Sequence, residues 1–177
     1  QALVSGTSSN VTLTSLPNGV NATYSPNKHY VRIVDAIAGS ETVLITGVSG
    51  TTITFTPTIS HTSGNWTVQS ASDGIQEAIH GAPVDGNVFI SKGTHTVYKK
   101  IFSERDVKLN GAGMDVAIIL AVDTANHVFD FTRTSGNGRI YCTDFTIKPN
   151  AGSFSGGASI YAQYFVLGTF KNLSFFA

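Results

Sequence analysis

Residues 72–120 read SDGIQEAIHGAPVDGNVFISKGTHTVYKKIFSERDVKLNGAGMDVAIIL, and the order of signals in that run decides the architecture. Asp73 followed by Gln76 has capping-box spacing, with the Asp73 carboxylate placed to accept from the free N–H groups of a first helical turn. Ile75, Ala78 and Ile79 then form one apolar stripe, and Gly81 with Pro83 stops the helix. So short a helix gains little by itself, so its stripe is expected to cover something apolar. His80 reads as a favourable charge at its C-terminus. Strand follows: NVFI, THTVYKKIF and DVKLNGAG, each punctuated by glycine.

Downstream, similar segments return. Asp106-Val107-Lys108-Leu109, Asp144-Phe145-Thr146-Ile147 and Asn172-Leu173-Ser174-Phe175 align with spacings of 38 (106 to 144) and then 28 (144 to 172) residues. Recurring strands of this kind suggest a solenoid, in which a coil buries its apolar face only by stacking on the next. The residues in excess of a minimal coil are expected in protruding loops at Arg133–Arg139 and Pro149–Gly157. A β-sandwich also yields short strands with glycine turns, but the repeat favours the solenoid.

Upstream, residues 1–28 carry turn formers at short intervals and read as an arm or linker without a core of its own. Residues 29–70 hold the β-prone runs YVRIV, ETVLIT, TTITFTP and NWTV, with GVSG where a hairpin should turn. They are expected to form a small antiparallel β module, marginal alone and therefore packed on something else. Residues 71–177 hold the capping helix and the strands after it.

Composition limits the function classes. Charged residues are only 12% of the 177, and Lys+Arg and Asp+Glu balance at 11 each, so no long-range field draws the chain to nucleic acid or to an anionic membrane. The apolar runs are far too short for membrane insertion. Cys142 is the single cysteine, which rules out an intrachain disulfide and a cysteine zinc cluster. The histidines, His29, His61, His80, His95 and His127, show no pair at ligand spacing, so no metal site and no cofactor is expected. The glycines of LNGAGMD lack the spacing and the Lys-Ser or Lys-Thr of a phosphate loop. Glycosylation triplets at Asn10, Asn21, Asn65 and Asn172 occur at about the frequency that composition produces by chance. Gln1 in place of Met is expected of a chain that was processed or belongs to a longer product.

The run DGIQEAI…GNVFISKGTHTV…VKLNGAGMDVAIIL resembles the start of pectate lyase-like right-handed parallel β-helices, the group that contains polygalacturonase-related proteins and phage tailspikes. Ser91 and Lys92 stand where Pro-Ala is usual before Gly93, and His95 where an aromatic is common. The resemblance implies an all-β fold: the small antiparallel unit, a short capping helix, then a right-handed parallel β-helix of about three coils. It also implies that activity lies on the outer faces of the coils. Strand alternation turns Val107, Leu109, Phe145 and Ile147 to one face and Asp106, Lys108, Asp144 and Thr146 to the other. On adjacent coils Asp106 and Asp144 would stack about 4.8 Å apart, near the separation of about 5 Å that a retaining glycosidase uses for nucleophile and acid. An Asp at a strand start also serves as a turn residue. Asp130 is a third candidate, with Phe129 and Phe131 inward and Val128, Asp130 and Thr132 outward. Asp123 and Arg133 complete a possible sugar groove, the guanidinium pairing with a uronate.

The aromatics Tyr161, Tyr164, Phe165, Phe170, Phe175 and Phe176 crowd the C-terminal end, where a solenoid needs a polar cap. FKNLSFFA is not one, so more coil or a partner chain is expected to cover it. The leading functional expectation is a tailspike-like surface β-helix that binds, and in its fuller form depolymerises, a polysaccharide as a homotrimer. The alternatives are a secreted pectate lyase- or polygalacturonase-type enzyme, and a non-catalytic structural subunit of a virion, fibre or surface assembly. All three place the chain outside the cell, on a virion or at a cell surface.

Overall fold

The computed structural model describes residues 1–134 and 138–176. Of the loop expected at Arg133–Arg139, Ser135, Gly136 and Asn137 lie outside the described residues. The chain divides into two compact units, Gln1–Gly81 and Ala82–Ala177. It is all-β apart from one short helix.

In the first unit, β1 (Ser9–Thr12), β2 (Tyr30–Asp35), β3 (Glu41–Ser49), β4 (Thr52–Phe55) and β5 (Trp66–Ser70) make one antiparallel sheet in the order β1-β4-β3-β2-β5. Alternation in YVRIV and ETVLIT turns Val31 and Ile33, and Val43 and Ile45, to the buried face. The β3–β4 hairpin closes Ser49 on Thr52 through Gly50-Thr51, with Gly50 at φ 57° as a tight two-residue turn requires. Residues 1–28, read as an arm, are woven into this unit: Leu3, Val11 and Val20 join Ile33, Ile45, Ile53 and Phe55 in its core. The helix α1 (Ile75–Gly81) is grouped here as well, with the residues before it rather than those after it. Its cap differs from expectation. Ser72, not Asp73, accepts from Gln76 N through Oγ at 2.9 Å, because Asp73 holds left-handed backbone at φ 52° in the turn outside the helix. The buried face takes Ile75 and Ile79 but also Gln76, Glu77 and His80, and Ala78 is exposed.

Among the described residues the second unit is built from parallel pairings alone. Its strands are β6 (Asn87–Ile90), β7 (Gly93–Val97), β8 (Ile101–Ser103), β9 (Val107–Gly111), β10 (Ala117–Ala121), β11 (Phe129–Thr132), β12 (Gly138–Pro149), β13 (Ile160–Gln163) and β14 (Phe165–Phe175). Three stacks result. In one, β6 pairs with β9, β9 with the first half of β12, and β12 with β14. In the next, β7 pairs with β10, β10 with the second half of β12, and β12 again with β14. In the third, β8, β11 and β13 pair in turn. β12 serves two stacks because it bends at Asp144, whose φ is 63°.

Like side chains meet across each stack: Val88, Leu109 and Cys142 in the first, Ile119 and Ile147 in the second, Ile101 and Phe129 in the third, all of them buried. These inward columns are the core. Gly111 allows a close approach, since a Cβ there would overlap the Asp144 carbonyl oxygen. Among the described residues β14 pairs with β12 alone. Phe170 and Phe175 align with buried Cys142 and Ile147, yet each is 51% exposed. Among the described residues no helix is long and apolar enough to cross a membrane.

Candidate functional site

The register separates the two carboxylates expected to stack. Val107 pairs with Ile140 and Leu109 with Cys142, which puts Asp106 level with Arg139, five residues before Asp144. The offset from β9 to β12 is therefore 33 (107 to 140), not 38. The reason lies in the core: Ile140 and Cys142 begin β12 with the same inward alternation as Val107 and Leu109, and that pairing uses the first half of the long strand. The spacing of 28 between Asp144 and Asn172 does correspond to the register, with Phe145 on Leu173 and Ile147 on Phe175.

Each candidate is held by neighbours. Asp106 Oδ1 accepts from Arg133 Nη1 at 2.6 Å and from Arg139 N at 3.0 Å. Arg133 thus pairs with Asp106, its guanidinium also lying 5.8 Å from the centroid of the Phe165 ring, and does not join Asp123 or Asp130 in a groove. Asp130 is 7% exposed rather than outward in solvent; it takes Lys100 Nζ at 2.7 Å and the Thr132 hydroxyl at 2.6 Å. Val128, expected outward, is buried. Asp123 accepts from Lys99 Nζ at 2.7 Å, Asn126 Nδ2 at 3.0 Å and Ala125 N at 3.2 Å. Burial works against its charge, but these donors prevail and its pKa falls below the ordinary aspartate value. Asp144 accepts from Asn172 Nδ2 at 2.8 Å, and that bond, then Thr143, lowers its pKa. Thr146, expected outward, is 1% exposed because its hydroxyl accepts from Asp115 N at 3.1 Å and donates to Asp115 Oδ1.

The basic partners, Lys99 and Lys100, were not singled out by the sequence. Each ion pair joins segments that belong to successive repeats of the stacked strands.

A second constellation was hidden from motif reading. In the first unit His61, 1% exposed, donates from Nδ1 to Asp35 Oδ2 and from Nε2 to Glu41 Oε1, each at 2.9 Å. Asp35 Oδ1 also accepts from Ile37 N and Ala38 N, and Glu41 from Thr58 N, Thr58 Oγ1 and Ile59 N. Burial opposes the imidazolium, but the bonds to Asp35 and then Glu41 outweigh it and raise the His61 pKa. Both ring nitrogens are donors, so His61 offers no lone pair to a substrate proton or a metal. The signal was present in phase: Asp35 alternates with Val31 and Ile33, Glu41 with Val43 and Ile45, so both carboxylates had to point into the core. Elsewhere in the first unit, buried Glu77 takes His29 Nε2 at 3.2 Å and Ser72 Oγ at 3.1 Å.

Cys142 lies in the core, where burial pushes its thiol up to about 12. Among the described residues no group of three or more His, Cys, Asp or Glu is arranged to hold a metal ion. No protein-family model, no curated protein and no solved structure matches this chain.

Proposed function

We propose that the chain is a surface β-helix module of the tailspike-like kind, in which the antiparallel unit serves assembly and the stacked coils present an outer face to a polysaccharide. The observation that carries this reading is the trio of parallel stacks. A chain that returns to the same three directions repeat after repeat, with inward columns of Ile, Leu, Phe and Val, is what a parallel β-helix requires, and the right-handed sense follows the general rule for parallel crossovers. The module is read as extracellular, on a virion or at a cell surface, and as a homotrimer.

Binding and scaffold roles take precedence over cleavage in this reading, because the carboxylates put forward as acid, base or nucleophile are each committed to a structural partner. The secreted lyase or polygalacturonase alternative needs a free carboxylate on an outer face. Two measurements test the proposal together. Light scattering should give a mass of three chains, and a glycan panel should show retention of at least one polysaccharide without release of reducing ends or unsaturated uronate. A monomer that retains no glycan overturns it; a monomer that cleaves one moves the chain to the enzyme alternative.

A further inference from the structure

One outer face of the second unit gathers three cations that, among the described residues, form no salt bridge, although Lys171 is close enough to Asp144 to favour that carboxylate's charge. On the stack of β6, β9, β12 and β14, outward positions form columns: Lys108 over Tyr141 and Thr169, and Phe89 over Asn110, Thr143 and Lys171. Arg139 precedes Tyr141 on the same face, exposed to solvent. Every cation discussed above, Lys99, Lys100 and Arg133, spends its charge on an aspartate. Among the described residues Lys108, Arg139 and Lys171 make no such ion pair. Lys108 instead lies 5.9 Å from the centroid of the Tyr141 ring.

We infer that this face binds an anionic polysaccharide, its carboxylates on Lys108, Arg139 and Lys171 and its sugar rings against Tyr141 and Phe89. The inference rests on the polysaccharide reading proposed above and names the class of glycan. From strand geometry, the cations are spread over roughly 10 Å across the strands and roughly 13 Å along them, a patch for a short stretch of polymer rather than for one ion. Phe89 is 65% exposed on a strand whose alternate residues, Val88 and Ile90, are buried, so its ring is available to the apolar face of a sugar. Between the rings, Thr143 Oγ1 donates to Asn110 Oδ1 at 2.7 Å, a fixed chain of neutral polar groups suited to hydroxyls. The carboxylates that border the face are already engaged: Asp106 by Arg133, and Asp144 by Asn172 and by the charge of Lys171, which it shares with any bound glycan. A polynucleotide would also meet the cations, but a chain with 11 basic and 11 acidic residues lacks the field that holds a polyphosphate.

The test is affinity electrophoresis of the full chain against alginate, hyaluronate, dextran and single-stranded poly(dT). Retardation by alginate or hyaluronate, weakening as salt rises, is expected. Lys108→Ala, Arg139→Ala and Lys171→Ala should each weaken it by roughly two- to fivefold. Tyr141→Ala should weaken it while keeping the salt dependence. These positions are exposed or partly exposed, and an unchanged circular dichroism spectrum establishes that each variant folds. Equal retardation by dextran, alginate binding unaffected by the three cation variants, or preference for poly(dT) overturns this inference alone. No retardation by any of the three glycans overturns the polysaccharide reading beneath it.

Discussion

Asn172 stands over Asp144 at successive bends of the stacked strands, its Nδ2 donating to Asp144 Oδ1 at 2.8 Å, and both residues hold left-handed backbone, at φ 50° and 63°. Asn and Asp tolerate that region better than other non-glycine residues. Asn172→Val introduces a β-branched side chain at positive φ and removes the bond, and is expected to lower stability by about 1–2 kcal/mol. Asn172→Gly keeps the conformation and should lose less. Urea midpoints of the two variants check the order.

The His61 cluster predicts a stability plateau with two limbs. The raised pKa of His61 means that its contribution is whole below the ordinary histidine value of 6.5 and fades as pH climbs through the raised one. The lowered pKa values of Asp35 and Glu41 act in the opposite direction: backbone bonds from Ala38 and Ile37 lead for Asp35, and the Thr58 and His61 bonds overcome burial for Glu41. Their contribution is whole above the ordinary 3.8 and 4.5 and fades as pH falls. Glu77, lowered by His29 against its burial, adds to the acid limb. The thermal midpoint of the first unit should be flat between these ordinary values and fall outside them. In His61→Gln the alkaline fall should vanish; its persistence would count against the cluster.

Gly19 and Gly111 are among the glycines required by closeness rather than by φ. A Cβ on Gly19 would overlap the Glu77 carbonyl, and one on Gly111 the Asp144 carbonyl. Gly19→Ala should destabilise the first unit and Gly111→Ala the second, each by about 1–3 kcal/mol. Tryptophan fluorescence, through Trp66 in the first unit, reads the former and not the latter.

Asp130→Asn removes the charge that Lys100 and Thr132 hold. Stability should fall by about 1–3 kcal/mol. Any glycan-cleaving activity should be unchanged in this variant and in Asp106→Asn, measured by reducing-end release.

Cys142 should resist thiol reagents in the folded chain, since burial both blocks it and holds the thiol protonated, at about 12. Adding urea should release one reactive thiol at the midpoint of the second unit. Labelling at zero urea at the rate of a free thiol would refute the buried column of Val88, Leu109 and Cys142.

Much of the fold was legible from residues 72–120, because period-two alternation and glycine punctuation are local signals. The inward face of a strand such as Val107–Gly111 follows directly from them, though its partner does not. The site was less legible, because stacking register is a long-range quantity. Counting from Asp106 to Asp144 gave 38, whereas the strand that begins at Gly138 offered Ile140 and Cys142 first. Apolar alternation does not choose between the two offsets, since Val107 and Leu109 match Ile140 and Cys142 at 33 and Phe145 and Ile147 at 38. Likewise the ion pairs of Lys99 and Lys100 depend on which side chains two repeats bring level, and no local pattern states that.

Among the described residues the outermost strand, β14, has one partner and an apolar inward side left half open at Phe170 and Phe175. Such an edge can answer itself: a second β14 related by a two-fold would pair with it antiparallel and close at two copies. A three-fold assembly of the kind proposed has no two-fold between its chains, so it would have to be built through a different surface.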